Sequence, residues 1–207
     1  MTKLKVLIVE DEPVIAENVA VYLDNHDFEV SGIAYDSDEA LEQLKTNTPD
    51  AVILDINLDS GQDGIEIAGF INQHLRLPFL FLTSYSDKDT LTRAKTVKPA
   101  GYIVKPFNEK TLLATLEIAI SNHAAEQNHH LPVLNMEKVN KQLPSPLTER
   151  EFEVAQHVYQ GITNSQMAAT LFIALNTVKT HVKNLFLKLD VNTRLGAINR
   201  LREMMLK

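Results

Sequence analysis

The run Asp50-Ala-Val-Ile-Leu-Asp55-Ile-Asn57 is almost unbroken apolar sequence ending in a carboxylate. Residues 51–54 are too few for a stable lone helix and lie between Pro49 and the turn-forming Asp59-Ser60-Gly61. That is how a fully buried strand of a parallel sheet reads. A carboxylate at the carboxyl end of such a strand stands at the mouth where open α/β sheets bind ligands. Asp55 is therefore placed to act as a nucleophile that accepts a phosphoryl group. A second apolar run, residues 4–9, ends at Glu10-Asp11-Glu12. Neighbouring strands are roughly 5 Å apart, so Glu10, Asp11 and Asp55 would crowd one mouth. Crowded anions resist ionising together unless a cation joins them. Oxygen ligands with no His or Cys favour Mg²⁺, which keeps waters for an incoming phosphate. Thr83 and Lys105, each just past a further apolar run, bring a hydroxyl and an ammonium to the same mouth, which suits phosphoryl oxygens.

The elements that must position these residues alternate. Strands are expected at 4–9, 28–34, 51–54, 78–82 and 101–104. Helices are expected from Pro13, with Val14, Ile15, Val19 and Leu23 on helical spacing, and at 37–45, 64–75, 87–95 and 108–121. Ile65, Ala68 and Ile71 should face inward on the third helix, and Leu112, Leu113, Leu116 and Ile120 on the fifth. Five strand–helix alternations in about 120 residues are the signature of a doubly wound parallel α/β sheet, with the flavodoxin-like order 2-1-3-4-5. Its switch point lies between the strands that end in Glu10-Asp11 and Asp55. Asp50, Asp59 and Asp63 read as solvated loop residues.

Of 207 residues, 44% are apolar and 23% charged, the usage of globular chains. The absence of cysteine excludes disulfides and thiolate metal sites and suits a reducing cytoplasm. No apolar stretch reaches the roughly 18 residues of a membrane span, and no signal peptide is evident. The net charge of −7 hides an asymmetry: residues 1–122 hold 10 Lys and Arg against 20 Asp and Glu, while residues 147–207 hold 8 against 5. An acidic front and a basic end imply two domains with different partners. Between them, residues 123–146 lose periodicity, carry three prolines and read as a solvated linker. His123, His129 and His130 fall in this stretch without the spacing a metal site needs. Leu131, Val133, Leu134 and Met136 could rest on one domain.

The last sixty residues read as helices. Thr148 with Glu151, and Thr163 with Gln166, are capping boxes. The first helix stops at Gly161, the second is short and runs through Met167, Ala168 and Leu171, and the third runs to about Leu189. Val178, Val182, Leu185 and Leu189 form the buried stripe of the third, leaving Asn176, Lys179, Thr180 and Lys183 on another face. A last helix covers 193–205, with Leu195, Ala197, Ile198 and Leu201 inward. Two helices joined by a tight turn, the second presenting lysines, follow the helix-turn-helix plan.

Residues 4–122 resemble the receiver domain of bacterial response regulators. The likeness rests on Val9-Glu10-Asp11-Glu12-Pro13, Leu54-Asp55-Ile56-Asn57, Leu82-Thr83-Ser84 and Tyr102-Ile103-Val104-Lys105-Pro106-Phe107, in order and spacing. The resemblance implies Asp55 as phosphoacceptor for a sensor histidine kinase. It implies Mg²⁺ on Asp11, Asp55 and the carbonyl of Asn57, with Glu10 acting through water. Thr83 and Lys105 would touch the phosphoryl group, Tyr102 would move inward with Thr83, and Lys105-Pro106 is often cis in the family.

Residues 147–203 resemble the LuxR-type DNA-binding domain, through Leu147-Thr148, Arg150-Glu151, Gly161, Asn164, Asn176-Thr177-Val178-Lys179-Thr180-His181-Val182, Lys188-Leu189, Arg194 and Ala197. By that likeness Lys179, Thr180 and Lys183 face base edges in the major groove of double-stranded DNA. Asn164, Thr177 and His181 bind phosphates, and the last helix pairs two copies over a two-fold site. Ala174 stands where the family caps its recognition helix with Ser or Thr, and Ser165 replaces a common Lys. Together the two halves resemble a response regulator of the NarL/FixJ class that regulates transcription, and the resemblance implies a homodimer when the protein is phosphorylated or DNA-bound. An Asp-nucleophile phosphohydrolase is the enzymatic rival, but it needs a second carboxylate where Asn57 stands. Beyond self-phosphorylation and slow loss of the phosphate, no turnover is expected. An output through RNA or protein is the remaining rival, and the lysine-bearing helix disfavours it.

Overall fold

The apolar runs become five strands, β1 (Leu4–Val9), β2 (Phe28–Ala34), β3 (Ala51–Asp55), β4 (Phe79–Thr83) and β5 (Gly101–Val104). In the computed structural model, which describes residues 3–24, 27–58, 63–84, 88–128 and 133–206, they form one sheet in the order β2-β1-β3-β4-β5. The chain parts into two compact units between Ile120 and Ser121. The ladders β1–β3, β3–β4 and β4–β5 are parallel. Their register pairs Val9 with Leu54, Asp55 with Leu82 and Thr83 with Val104, so successive strands end at one rim. β3 is buried throughout and extends one residue beyond expectation, so Asp55 is its last member. Continuous apolar sequence suits a strand covered on both faces.

The covering helices are α1 (Pro13–Leu23), α2 (Ser37–Thr46), α3 (Gly64–Phe70), α4 (Lys88–Thr96) and α5 (Glu109–Asn128). Pro13 opens α1 at a position that needs no N–H donor. The buried face of α1 is Ala16, Val19 and Leu23; Val14, expected inward, is 71% exposed. Spacings of i, i+3 and i+7 from Ala16 define the true stripe. α3 does not run evenly to Leu75: Ile71–Leu75 is a π-helical turn ended by left-handed Arg76, with φ of 53°. On α5, Leu112, Leu116 and Ile120 are buried as expected, with Ala119 beside them, while Leu113 is half-buried. Gly64 matters for the site: a Cβ there would lie 1.9 Å from the carbonyl oxygen of Asp55. Only glycine lets α3 begin that close to the end of β3.

The second unit holds α6 (Met136–Asn140), α7 (Glu149–Tyr159), α8 (Asn164–Thr170), α9 (Leu175–Leu189) and α10 (Arg194–Leu206). Both capping boxes form, Thr148 with Glu151 and Thr163 with Gln166. Gly161 closes α7 with φ of 77°; its N–H donates to Val158 O and that of Ile162 to His157 O, a Schellman end. The core gathers Val154, Val158, Met167, Val178, Val182 and Leu201. Two expectations for the joint change. α5 continues to Asn128, and Leu134, Val139 and Leu143 are buried in this second core, whereas Val133 is 88% exposed. Asn135 caps α6 by accepting from the Lys138 N–H, and that short helix was not foreseen. Leu131, His129, His130 and Asp59 lie outside the described residues. Among the described residues no helix is long and apolar enough to cross a membrane.

Three stability outcomes follow. Thr148→Ala removes a cap that the Glu151 N–H uses, and urea unfolding should show a loss of about 1 kcal/mol. Ala174 is the uncapped N-cap of α9 in extended backbone, so Ala174→Ser should gain about 1 kcal/mol in the same measurement. Burial raises the Glu151 carboxyl, but hydrogen bonds from Lys188 and Thr148 outweigh it and hold its pKa below the ordinary 4.5. The contribution of Glu151 is therefore complete above about pH 4.5 and is lost as pH falls through the lower folded value. Melts of Glu151→Gln should accordingly converge on wild type in acid.

Candidate functional site

At the rim, Asp55 is 4% exposed and Glu10, just past β1, is fully buried. Lys105 follows β5 and reaches back across the sheet to both, its Nζ 2.5 Å from Asp55 Oδ2 and 2.8 Å from Glu10 Oε2. The Asn57 N–H donates to Asp55 Oδ1 at 3.1 Å, so the backbone holds one carboxylate oxygen while the ammonium holds the other. Burial pushes Glu10 up to about 7; its bond from Lys105 opposes this and the Asp55 charge adds to it. Burial alone would lower Lys105, but its bonds to Asp55 and Glu10 reverse that and hold its pKa above the ordinary 10.5. One ammonium thus serves two carboxylates, and Asp11 brings a third: oxygens of Glu10, Asp11 and Asp55 all lie within 4.8 Å of one another. Hard oxygen donors in negative excess fit a divalent cation of the Mg²⁺ kind.

Thr83 ends β4, is 3% exposed, and its hydroxyl donates to the Ser84 carbonyl at a long 3.5 Å. Tyr102 packs its ring on Phe81, with centroids 5.9 Å apart. Its hydroxyl is buried and has no hydrogen-bond partner among the described residues, and burial raises its pKa. Lys105-Pro106 is cis. Two acidic residues expected in solvent have structural roles. Asp50 is 4% exposed and accepts the Lys5 N–H at 2.9 Å, tying the starts of β1 and β3. Asp63 caps α3 by accepting from the Glu66 N–H and pairs with Arg93 of α4 at 2.5 Å. An acidic residue three before Glu66 at a helix start is the signal that could have found that cap.

In the second unit α9 follows a turn in which Phe172 is left-handed, with φ of 53°, and 94% exposed. Thr177, Thr180 and Lys183 are exposed on α9 and His181 is half-buried. Lys179, expected on the same outer face, is only 6% exposed. It lies three and seven residues before Val182 and Phe186, which are both buried, so its stem runs along the flank of the core stripe. Asn164, at the first turn of α8, is 3% exposed. The Thr180 hydroxyl donates back to the Asn176 carbonyl at 3.0 Å, so its proton is engaged within the helix. Arg194 opens α10, is 4% exposed, and donates to the Ile162 carbonyl between α7 and α8.

The rim makes a direct test possible. Lys105→Met leaves two buried carboxylates without their ammonium, and thermal unfolding should show a loss of about 3 kcal/mol in metal-free buffer. Added MgCl₂ should recover much of it. Equal stability of variant and wild type would mean that Lys105 does not neutralise the cluster.

Comparison with known proteins agrees with this geometry. Residues 6–117 match the response regulator receiver domain, and residues 145–201 match the luxR family of bacterial regulatory proteins. The chain is 31% identical over 199 residues to the nitrate/nitrite response regulator protein homolog of Haemophilus influenzae, with 94% of each chain covered. It is 30% identical over 198 residues to the response regulator protein VraR of Staphylococcus aureus strain NCTC 8325, again with 94% of each covered. Among solved structures, the signal receiver domain of a NarL response regulator from Mycobacterium tuberculosis aligns with TM-score 0.53 and 26% identity, covering 57% of this chain and 98% of that one. With a receiver and a LuxR-type helix-turn-helix in one polypeptide, the chain belongs to the response regulators of two-component systems that regulate transcription.

Proposed function

We propose that Asp55 is the phosphoacceptor and that a sensor histidine kinase supplies the phosphoryl group. The observation that supports this reading is the single ammonium of Lys105 set between Asp55 and Glu10, with Asp11 alongside. An Asp55 oxygen forms the new O–P bond as the P–N bond to the kinase histidine breaks and the imidazole leaves with the electron pair. Asp11, Asp55 and the Asn57 carbonyl would hold Mg²⁺, with Glu10 acting through water. Held there, such a cation would supply positive charge to neutralise the phosphoryl oxygens. Lys105 then exchanges its bond to Asp55 for one to a phosphoryl oxygen. The Thr83 hydroxyl, held loosely at 3.5 Å, turns to another. Tyr102 follows Thr83 inward and fills the space it leaves. The added negative charge biases a two-state element, and DNA affinity changes by no more than the difference between those states.

The receiver is assigned to residues 1–122, the DNA-binding domain to 147–207 with residues 134–143 packed on its core, and the protein to the cytoplasm with the DNA it reads. α9 enters the major groove with Thr180 and Lys183 toward base edges. The Thr180 methyl suits a thymine methyl, since its proton is engaged by Asn176. Lys179 joins them once its ammonium extends from the flank it now follows. Thr177, His181 and Asn164 serve phosphates, Asn164 through the first turn of α8. α10 pairs two copies over a two-fold site. Catalysis stops at self-phosphorylation and slow loss of the phosphate.

Labelling by acetyl phosphate with MgCl₂ tests the acceptor: Asp55→Ala should abolish incorporation, and undiminished incorporation would remove Asp55 from the role. For DNA, Lys183→Ala should reduce the dependence of log affinity on log salt by about one unit if the residue meets a phosphate. If it meets a base edge instead, discrimination among sequences should relax and the slope should hold.

A further inference from the structure

The luxR-family match spans residues 145–201, yet the folded core extends past both ends of it. Leu134, Val139 and Leu143 lie before the match, Met204 and Met205 after it, and all five are buried in the one cluster. The two flanks are bonded to each other. Lys138 Nζ donates to the Met205 carbonyl at 2.7 Å and Gln142 Nε2 to the Met204 carbonyl at 2.8 Å. Both carbonyls belong to the last turn of α10, where a helix leaves its carbonyls without partners of its own. A cation at that end also meets the negative pole of the helix.

α6 is built to deliver these groups. Asn135 caps it through the Lys138 N–H, and Asn140 grips Leu147 twice, accepting its N–H at 2.8 Å and donating to its carbonyl at 3.1 Å. Leu147 immediately precedes the capping box of α7. The stretch between the two domains thus ties the start of α7 to the end of α10. On the turn it holds, Leu206 is 71% exposed, an apolar side chain with no place in this core.

We propose that Lys138 and Gln142 are positioning residues for assembly on DNA: they terminate α10 and fix the turn through which it meets a second copy. This rests on the reading that α10 pairs two copies. Neither residue touches DNA in this scheme; each acts through α10.

The experiment uses the full-length protein treated with acetyl phosphate and MgCl₂, comparing wild type, the double variant Lys138→Met with Gln142→Leu, and Lys138→Arg. Three readouts are taken: amide hydrogen exchange along α7–α10, self-association by sedimentation equilibrium, and binding to a random-sequence duplex at low salt. Loss of two hydrogen bonds, one from a charged donor, should speed exchange in the last turn of α10 by roughly tenfold or more and weaken self-association comparably. Exchange in α9 and binding to the random duplex should hold, and Lys138→Arg should keep both affected quantities near the wild-type values. Unchanged exchange in the last turn overturns the proposal, as does faster exchange with unaltered self-association. Faster exchange throughout α7–α9 with lost duplex binding also overturns it, because the bonds would then support the whole domain and not α10. Should wild type fail to self-associate when phosphorylated, the pairing reading fails and exchange in the last turn alone decides the cap.

Discussion

An ammonium held between two buried carboxylates is the constraint on which the receiver depends. Lys105 is the last residue of the rim to arrive along the chain, 95 positions after Glu10, and it meets both anions within 2.8 Å. Burial makes the Glu10 charge costly enough to bring its pKa near 7. The cluster is therefore short of positive charge by construction. A group that brings a cation or removes the ammonium from Asp55 changes the balance at once, which is the property a phosphorylation switch needs. The surroundings keep the geometry narrow. Gly64 lets α3 start against the Asp55 carbonyl, and the Asn57 N–H fixes one Asp55 oxygen.

The helical unit is held by a different means. Side chains close the starts of α6, α7 and α8, at Asn135, Thr148 and Thr163, and Gly161 ends α7. Lys188 adds a tie from α9 to the start of α7, donating to the Pro146 carbonyl and to Glu151, both at 2.7 Å. α9, by contrast, begins at Ala174 without a side-chain cap among the described residues. α9 thus has the least locally secured start, and its orientation comes from Val178, Val182, Leu185 and Leu189 in the core. The outer face of α9, with Thr177, Thr180 and Lys183, is in this way left exposed while its back is fixed.

Much of this was legible in the residues. The five strand positions, the 2-1-3-4-5 order and both capping boxes follow from unbroken apolar runs and from S/T-x-x-E/Q spacing, patterns that are local and strong. The gathering of Glu10, Asp11, Asp55 and Lys105 was legible because the order of strands puts their ends at one rim. What escaped is what depends on helical phase or on distant partners. Val14 and Ala16 are both apolar, and only packing decides which faces in. Lys179 looked like its neighbours Thr180 and Lys183, yet a rotation of one residue places it on the flank of the core. The docking of α6 was hidden by the prolines and polar residues around it. Asn135 followed by Val139 and Leu143 at i, i+4 was the available signal, too short to stand out from a linker. Its partners, the carbonyls of Met204 and Met205, have no signature in sequence at all.

The central claim is that charge placed on Asp55 is felt by a helix in the other domain. The most direct measurement is affinity for duplex fragments of the source genome, at one fixed salt concentration, for one preparation before and after acetyl phosphate and MgCl₂, with Asp55→Asn in parallel. Affinity that changes in wild type and stays constant in the variant is the expected result. The same change in both proteins, or no change in wild type despite stoichiometric phosphorylation, would contradict it.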